Sequence, residues 1–248
     1  MDSPGYIVLS RLVAAQRVTE VTANNIANAD TPGFRAHRPL FGTVLERQMD
    51  GQAPHNGREI AYAQDRATWR EAAPGPLART GNPLDLALSG QDGFFAVETP
   101  RGERYTRAGH FTLDPGGRVV DPDGNALLDT VGRPLRIEPG SSSIEVRGDG
   151  SVSTETGPVG RLRVVRFADA QRLSAEGDRN LATPADMPPE VVERPGVVQG
   201  AVEGSNVRPV LELTRLTDEM RHFQFVAQMA EREGERLGTA VERILRRR

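Results

Sequence analysis

Apolar or small residues recur in alternating steps of three and four from Leu213 onward: Leu213, Leu216, Met220, Phe223, Ala227, Ala230, Gly234, Leu237, Val241 and Ile244. Charged side chains fill the gaps, among them Glu212, Arg215, Asp218, Glu219, Arg221, Glu231, Arg232 and Glu235, and no proline interrupts the run. This spacing predicts a helix with a narrow heptad seam, the kind of face that needs a second helix to cover it. At 1.5 Å per residue the rod would be roughly 50 Å long, more than one compact globule covers. The plainer reading is a long surface helix docked on its own domain, but helices of globular domains rarely hold strict heptads over such a length. Small side chains at Ala227, Ala230 and Gly234 would let a partner backbone come close.

A second, weaker helical pattern runs from Tyr6 to about Asn28, with Leu9, Leu12, Thr19, Ala23 and Ile26 at three-four spacing and Gln16 breaking the apolar line. Pro4 suits its first turn. Three asparagines, Asn24, Asn25 and Asn28, crowd its end; they are poor helix formers but rich in donors and acceptors. Pro32 then biases Thr31 away from helical backbone and Gly33 allows a sharp turn, so the helix stops here.

From Arg35 to Leu77 no period is sustained. Leu40-Phe41 and Thr43-Val44-Leu45 read as short strands, Gly51 to Gly57 as a polar turn. Phe34, Phe41, Tyr62 and Trp69 are large enough to need shelter, which favours an ordered arm over a disordered linker. Between Gly81 and Val202 strand-sized runs follow one another: Phe94-Phe95-Ala96-Val97, Phe111-Thr112-Leu113, Arg118-Val119-Val120, Leu135-Arg136-Ile137, Ile144-Glu145-Val146 and Leu162-Arg163-Val164-Val165. Turn clusters such as Asp114-Pro115-Gly116-Gly117 and Asp121-Pro122-Asp123-Gly124-Asn125 separate them, a pattern for a sandwich or barrel. Gly177 to Gly200 reads as irregular. Ser205 or Asn206 would cap the terminal helix and Pro209 would open it. The expected fold class is therefore α+β: long, coiled-coil-like N- and C-terminal helices flanking an inserted all-β domain. The divisions are 1–34 (helix), 35–80 (arm), 81–202 (β domain) and 203–248 (heptad helix).

Composition narrows the function. With 248 residues, 37% hydrophobic and 5% aromatic, the chain can build one large or two small domains around a thin core. A formal charge of -3 gives no basic field for nucleic acid or anionic membrane. All the basic residues are arginine. Cysteine is absent, which excludes disulfides, thiolate zinc sites and cysteine nucleophiles. No apolar run is long enough for a membrane span, and the opening Met1-Asp2-Ser3-Pro4-Gly5 lacks the basic and apolar regions of a cleavable signal. The histidines His37, His55, His110 and His222 are scattered rather than at metal-ligand spacing. No Gly-x-Ser-x-Gly elbow occurs, and a phosphate loop ending in Gly-Lys is impossible without lysine. Asp121-x-Asp123-Gly124-Asn125 lacks the later glycine and closing glutamate of a calcium loop, so turn chemistry accounts for it. No catalytic residue, cofactor or metal is expected. Partner-seeking surface at both chain ends instead suggests assembly, and a head-to-tail contact that does not close gives a filament.

Three ordered motifs point the same way. Asn24-Asn25-Ile26-Ala27-Asn28 followed by Thr31-Pro32-Gly33-Phe34 resembles the N-terminal signature of the bacterial flagellar axial proteins of rod and hook. Asp92-Gly93-Phe94-Phe95-Ala96-Val97 with Tyr105-Thr106-Arg107-Ala108-Gly109-His110-Phe111 is similar to that family's central β motif, and Glu203-Gly204-Ser205-Asn206-Val207 to its C-terminal signature. Gly33-Phe34-Arg35-Ala36 and Ser205-Asn206-Val207-Arg208-Pro209-Val210 look most like the proximal-rod members. The resemblance implies a structural, non-enzymatic subunit of the basal-body rod in the periplasm, passed unfolded through the flagellar type III export apparatus and assembled with proximal and distal rod subunits. It places subunit contacts at Asn24, Asn25, Ile26, Asn28, Thr31, Gly33, Phe34, Ser205 and Asn206, beside the seam residues named above. The alternatives are a distal-rod paralogue, or a soluble coiled-coil oligomer presenting a β domain to a ligand.

Overall fold

The computed structural model describes residues 3–48, 58–138, 140–141, 143–177 and 179–246. Its elements separate into two compact units. The first contains helix α1 (Ser3–Ala27), strands β1 (His37–Gln48) and β2 (Arg58–Arg70, as far as Trp69), which pair with each other, and helix α2 (Pro209–Leu245). The second contains the segment Asn28–Ala36 and the chain from Arg70 to Val207.

Both helices occur where periodicity places them, but the coiled-coil reading is overturned. The described part of α2 buries Glu212 and Val226 and half-buries Leu216, Glu219, Ala227 and Ala230, while Leu213, Met220 and Phe223 of the expected seam stay about half exposed. On α1 the buried positions are Ala15, Val21, Thr22 and Asn25, small or polar for the most part, and Leu9 and Ala23 face outward. α1 does pack along α2, yet among the described side chains no line of large apolar knobs is enclosed between them. The cause is Glu212. It sits one residue, about 100° of helix rotation, from Leu213, and the polar partners gathered around it fix which face of α2 turns inward. The side chains of Leu237, Val241 and Ile244 lie outside the described residues.

β1 is one strand of 12 residues in place of the two short ones expected. The polar turn expected at Gly51 to Gly57, and the side chain of Tyr62, lie outside the described residues. Phe41 and Trp69 remain substantially exposed, because a two-stranded sheet has two open faces and little to cover them. Arg17 of α1 reaches β2 through a bond from Nη2 to Thr68 Oγ1 at 3.2 Å.

In the second unit the strands are short and their pairings antiparallel. β3 (Leu77–Arg79) pairs β18 (Ala201–Glu203), and β4 (Leu86–Leu88) pairs β17 (Val197–Gln199). β5 (Phe94–Thr99) lies between β6 (Gly102–Thr106) and β9 (Ala126–Leu127), with β7 (Thr112–Leu113) and β8 (Val119–Val120) beyond β9. β10 (Ile144–Val146), β11 (Ser151–Thr154) and β12 (Gly157–Arg161) form a separate three-stranded sheet. β13 (Val164–Arg166) joins β5 to β16 (Glu190–Val191), while β14 (Ser174–Ala175) and β15 (Leu181–Ala182) extend the β6 edge. The expected strand Leu135-Arg136-Ile137 makes only an isolated bridge, from Arg136 to Arg118.

Alternation along β5 explains the core. Phe95 and Val97 point into one apolar cluster with Leu86, Phe111, Leu127 and Leu162. Phe94 and Ala96 point into another with Tyr105, Val165, Phe167 and Met187. A strand buried on both faces reads as a continuous apolar run rather than an alternating one, and Phe94-Phe95-Ala96-Val97 is such a run. Edge-to-face rings, Phe95 on Phe111 at 5.6 Å and Tyr105 on Phe167 at 4.8 Å, lock the two clusters.

Candidate assembly surface and the polar anchors beneath it

Glu203, at the end of β18, is 1% exposed and meets three partners in the β unit. Arg107 donates to its Oε2 from Nε at 2.8 Å and from Nη2 at 2.5 Å, and the Gly75 amide donates to Oε1 at 3.3 Å. Arg35 Nη2 stands 3.8 Å from the same carboxylate and donates to the Gln91 carbonyl at 2.7 Å. Arg107 also donates to the carbonyls of Gly93 at 2.5 Å and Gly90 at 2.8 Å. Two buried guanidinium groups thus share one buried carboxylate. Burial first, and the neighbouring Arg107 charge second, push the Arg35 guanidinium below the ordinary arginine value.

The residues around this anchor come from all three motifs quoted above. Gly33 N donates to the Glu203 carbonyl at 2.8 Å, and Asn206 N to the Phe34 carbonyl at 3.3 Å. The Asn206 side chain accepts from Ala36 N at 2.7 Å and donates to the Ala73 carbonyl at 2.8 Å. Ser205 Oγ accepts from Val207 N at 3.2 Å. Neither Ser205 nor Asn206 caps α2 as expected: the Arg208 carbonyl takes the first helical donors, Leu211 N and Glu212 N, and the Asn206 side chain is occupied in joining the backbone at Ala36 and Ala73. Thr31 closes a turn on Asn28, N to O at 3.2 Å and Oγ1 to Oδ1 at 3.2 Å.

Gly33 has φ +72°, and a Cβ there would lie 2.5 Å from the Arg107 carbonyl carbon. Replacing it with alanine adds left-handed strain and a backbone clash, an expected loss of about 2–4 kcal/mol from the β unit. Denaturant unfolding followed by amide exchange across β5 and β18 measures that loss.

The helical unit has its own anchor. Asn25 is fully buried. Its Oδ1 accepts from His37 N at 2.8 Å and its Nδ2 donates to the His37 carbonyl at 2.9 Å, so the side chain pairs with the start of β1 as another strand would. Nδ2 also lies 3.4 Å from Glu212 Oε2. Glu212, 1% exposed in the first turn of α2, accepts from Arg38 Nη1 at 2.8 and 3.0 Å and from Arg215 Nη1 at 2.7 Å. Its charge also suits the positive end of the helix.

Among the exposed side chains of the helical unit are several large apolar ones. Val210, Leu211, Leu213, Met220, Phe223, Phe225 and Met229 of α2 and Leu9 and Val13 of α1 are exposed. Among the residues expected to meet other subunits, Leu213, Met220 and Phe223 are exposed and Leu216, Ala227, Ala230 and Ile26 are half-buried, while Gly234 and Asn24 face solvent. Asn25 and Ser205 are buried in their own units. Sequence reasoning missed Arg35, Arg38, Arg107, Glu203 and Glu212, and the outward row Leu211, Phe225, Met229. Glu203 and Arg107 stood inside the quoted motifs, which was the available signal.

Among the described residues no cluster of three or more His, Asp or Glu could hold a metal ion. A cleft of about 280 Å³ beside the β5–β6 turn is lined by Arg101, Arg104, Asp123, Glu176 and Asn180, but Arg104 already pairs with Glu176 at 2.8 Å and Arg179 with Asp123 at 2.5 Å. The Arg104 hydrogen bond holds the Glu176 carboxyl below the usual carboxylate range. No helix among the described residues is long and apolar enough to cross a membrane.

A β unit tied to its flanking segments and a helical unit with apolar outer faces describe a structural building block. Residues 6–35 match the family described as flagella basal body rod protein, 87–154 the flagellar hook protein FlgE/F/G D1 domain, and 198–243 the flagellar basal body rod FlgEFG protein C-terminal region. The flagellar basal-body rod protein FlgF of Caulobacter vibrioides is 36% identical over 247 residues, 98% of each chain. FlgF of Mesorhizobium japonicum is 34% identical over 231 residues, 92% of each, and the rod protein FlgG of Bacillus subtilis 29% over 240 residues, 88% of this chain and 90% of its own. The chain belongs to the flagellar basal-body rod protein family, as a structural subunit of the rod, and within that family its likeness is to FlgF.

Proposed function

We propose that this subunit builds the proximal rod by packing the outward faces of α1 and α2 against neighbouring rod subunits, both proximal and distal. Residues Leu213, Leu216, Met220, Phe223, Ala227, Ala230 and Gly234 supply contact on the α2 side, with Asn24, Ile26, Asn28, Thr31 and Phe34 at the other chain end. The observation that carries this reading is the row of large apolar side chains left in solvent on α2, in a chain whose relatives are rod proteins. Exposed apolar patches of that kind mark protein interaction sites. Packed side chains transmit torque because slippage would pull atoms out of close contact, and many small losses add up. On the same reading the subunit is passed through the flagellar type III export apparatus and works in the periplasm.

The test is Leu213→Glu with Phe223→Glu. Both side chains are already exposed, so the isolated chain should keep its helix content and unfolding midpoint within about 0.5 kcal/mol. Burying two carboxylates in a subunit contact should weaken assembly at least about a hundredfold, seen as loss of rods in purified basal bodies and of swimming. Wild-type rods and swimming in the double variant would overturn the proposal.

A further inference from the structure

Sulfur in this chain resides only in methionine, since cysteine is absent. Met187 is 5% exposed and packed among Phe94, Tyr105 and Phe167 in the β core. Met220 and Met229, by contrast, are 51% and 48% exposed on α2. Each sits in one of the outward apolar rows. Met220 follows Leu213 by one heptad and precedes Phe223 by three residues; Met229 follows Phe225 by four, the spacing of helical neighbours. No other residue type in those rows can change polarity by a simple chemical step.

We propose that, of the three described methionines, Met220 and Met229 are the oxidation sites, and that their conversion to sulfoxide by a peroxide blocks assembly while leaving the subunit folded. The inference rests on the assembly reading above. In the step itself, a thioether lone pair attacks one peroxide oxygen and the O–O bond breaks. The sulfur leaves as sulfoxide, oxidised by two electrons, and the second oxygen leaves as water with both peroxide protons. The product places a polar, chiral S=O where an apolar chain stood, which disrupts methionine-lined contacts. Because both side chains already face solvent, the sulfoxide costs the free subunit little. Enzymatic reduction of methionine sulfoxide would restore the surface.

The experiment uses the full chain treated with hydrogen peroxide before assembly, with peptide mass spectrometry, circular dichroism and sedimentation on the same samples. Met220 and Met229 should gain one oxygen at least about tenfold faster than Met187, following exposure. The oxidised chain should keep its helix content yet lose self-association. A Met220→Leu, Met229→Leu variant, close in volume and inert to peroxide, should associate equally with and without treatment. Met187 oxidising as fast as the other two, an oxidised chain that associates normally, or a Leu variant that still loses association under peroxide would each overturn the proposal. An untreated chain that fails to associate at all would sink the assembly reading together with it, and is told apart by its appearance before any peroxide is added.

Discussion

Replacing Glu203 with alanine should destabilise the β unit by about 3–5 kcal/mol, the cost of removing one partner from a buried ion pair. The size of the effect comes from what stays behind. Arg107 and Arg35 would keep their charges, since arginine does not deprotonate in proteins, and both are under 10% exposed. Arg107 would retain its carbonyl acceptors at Gly90 and Gly93, whereas the Gly75 amide would lose its partner. Glu203→Gln keeps the volume and one acceptor oxygen, so its loss should be smaller than that of alanine. Removing charge from both sides, Glu203→Gln with Arg107→Met, should recover part of the damage, because an apolar replacement of a whole buried pair is often close to neutral. Amide exchange across β5 and β18 in urea is the readout. A shift under about 1 kcal/mol for Glu203→Ala would mean that the arginines are hydrated and the anchor is decorative.

How much of this could be read beforehand divides along physical lines. Helix existence and extent follow from local periodicity, and α1 and α2 appear where that periodicity lies. Which way a helix faces is not local. For α2 it is decided by Glu212, which the pattern places on the solvated side because a lone glutamate in sequence looks solvated. The spatial arrival of Arg38 and Asn25, added to Arg215 one turn along, makes its burial tolerable. The heptad seam therefore described the composition of the helix correctly and its rotation incorrectly. The same holds in the β unit. The buried run Phe94–Val97 announces a strand covered on both faces, and β5 is that strand. The Glu203 anchor was visible only as membership of a motif, since nothing in spacing says that residues 35, 75, 107 and 203 converge. Asn206 shows the same limit from the other side: a good helix cap by sequence, it is drawn off by the Ala36 amide and the Ala73 carbonyl, which offer two hydrogen bonds where a cap offers one.

Asn25 sets up the second large effect, in the helical unit. Asn25→Ala removes a side chain that bonds both His37 backbone groups and leaves a small cavity, so the expected loss is about 2–4 kcal/mol. Asn25→Asp separates the hydrogen-bond argument from the volume argument. The new carboxylate keeps the shape and can still accept from His37 N. It cannot donate to the His37 carbonyl, and it faces the Glu212 carboxylate across the 3.4 Å that Nδ2 now spans. Burial and that like charge both favour the neutral acid, so the folded-state pKa of the introduced group should rise above its unfolded value. A raised folded pKa means that the folded chain binds the extra proton more tightly. The stability it contributes is present at low pH and lost as pH rises through the folded value. Asn25→Asp should therefore be at least as damaging as Asn25→Ala at neutral pH and recover on acidification, while Asn25→Ala lacks that recovery. Circular dichroism at 222 nm against urea at a series of pH values separates the two. Equal pH dependence in both variants would place the Asn25 side chain away from Glu212 in solution and leave the rotation of α2 to its apolar contacts alone.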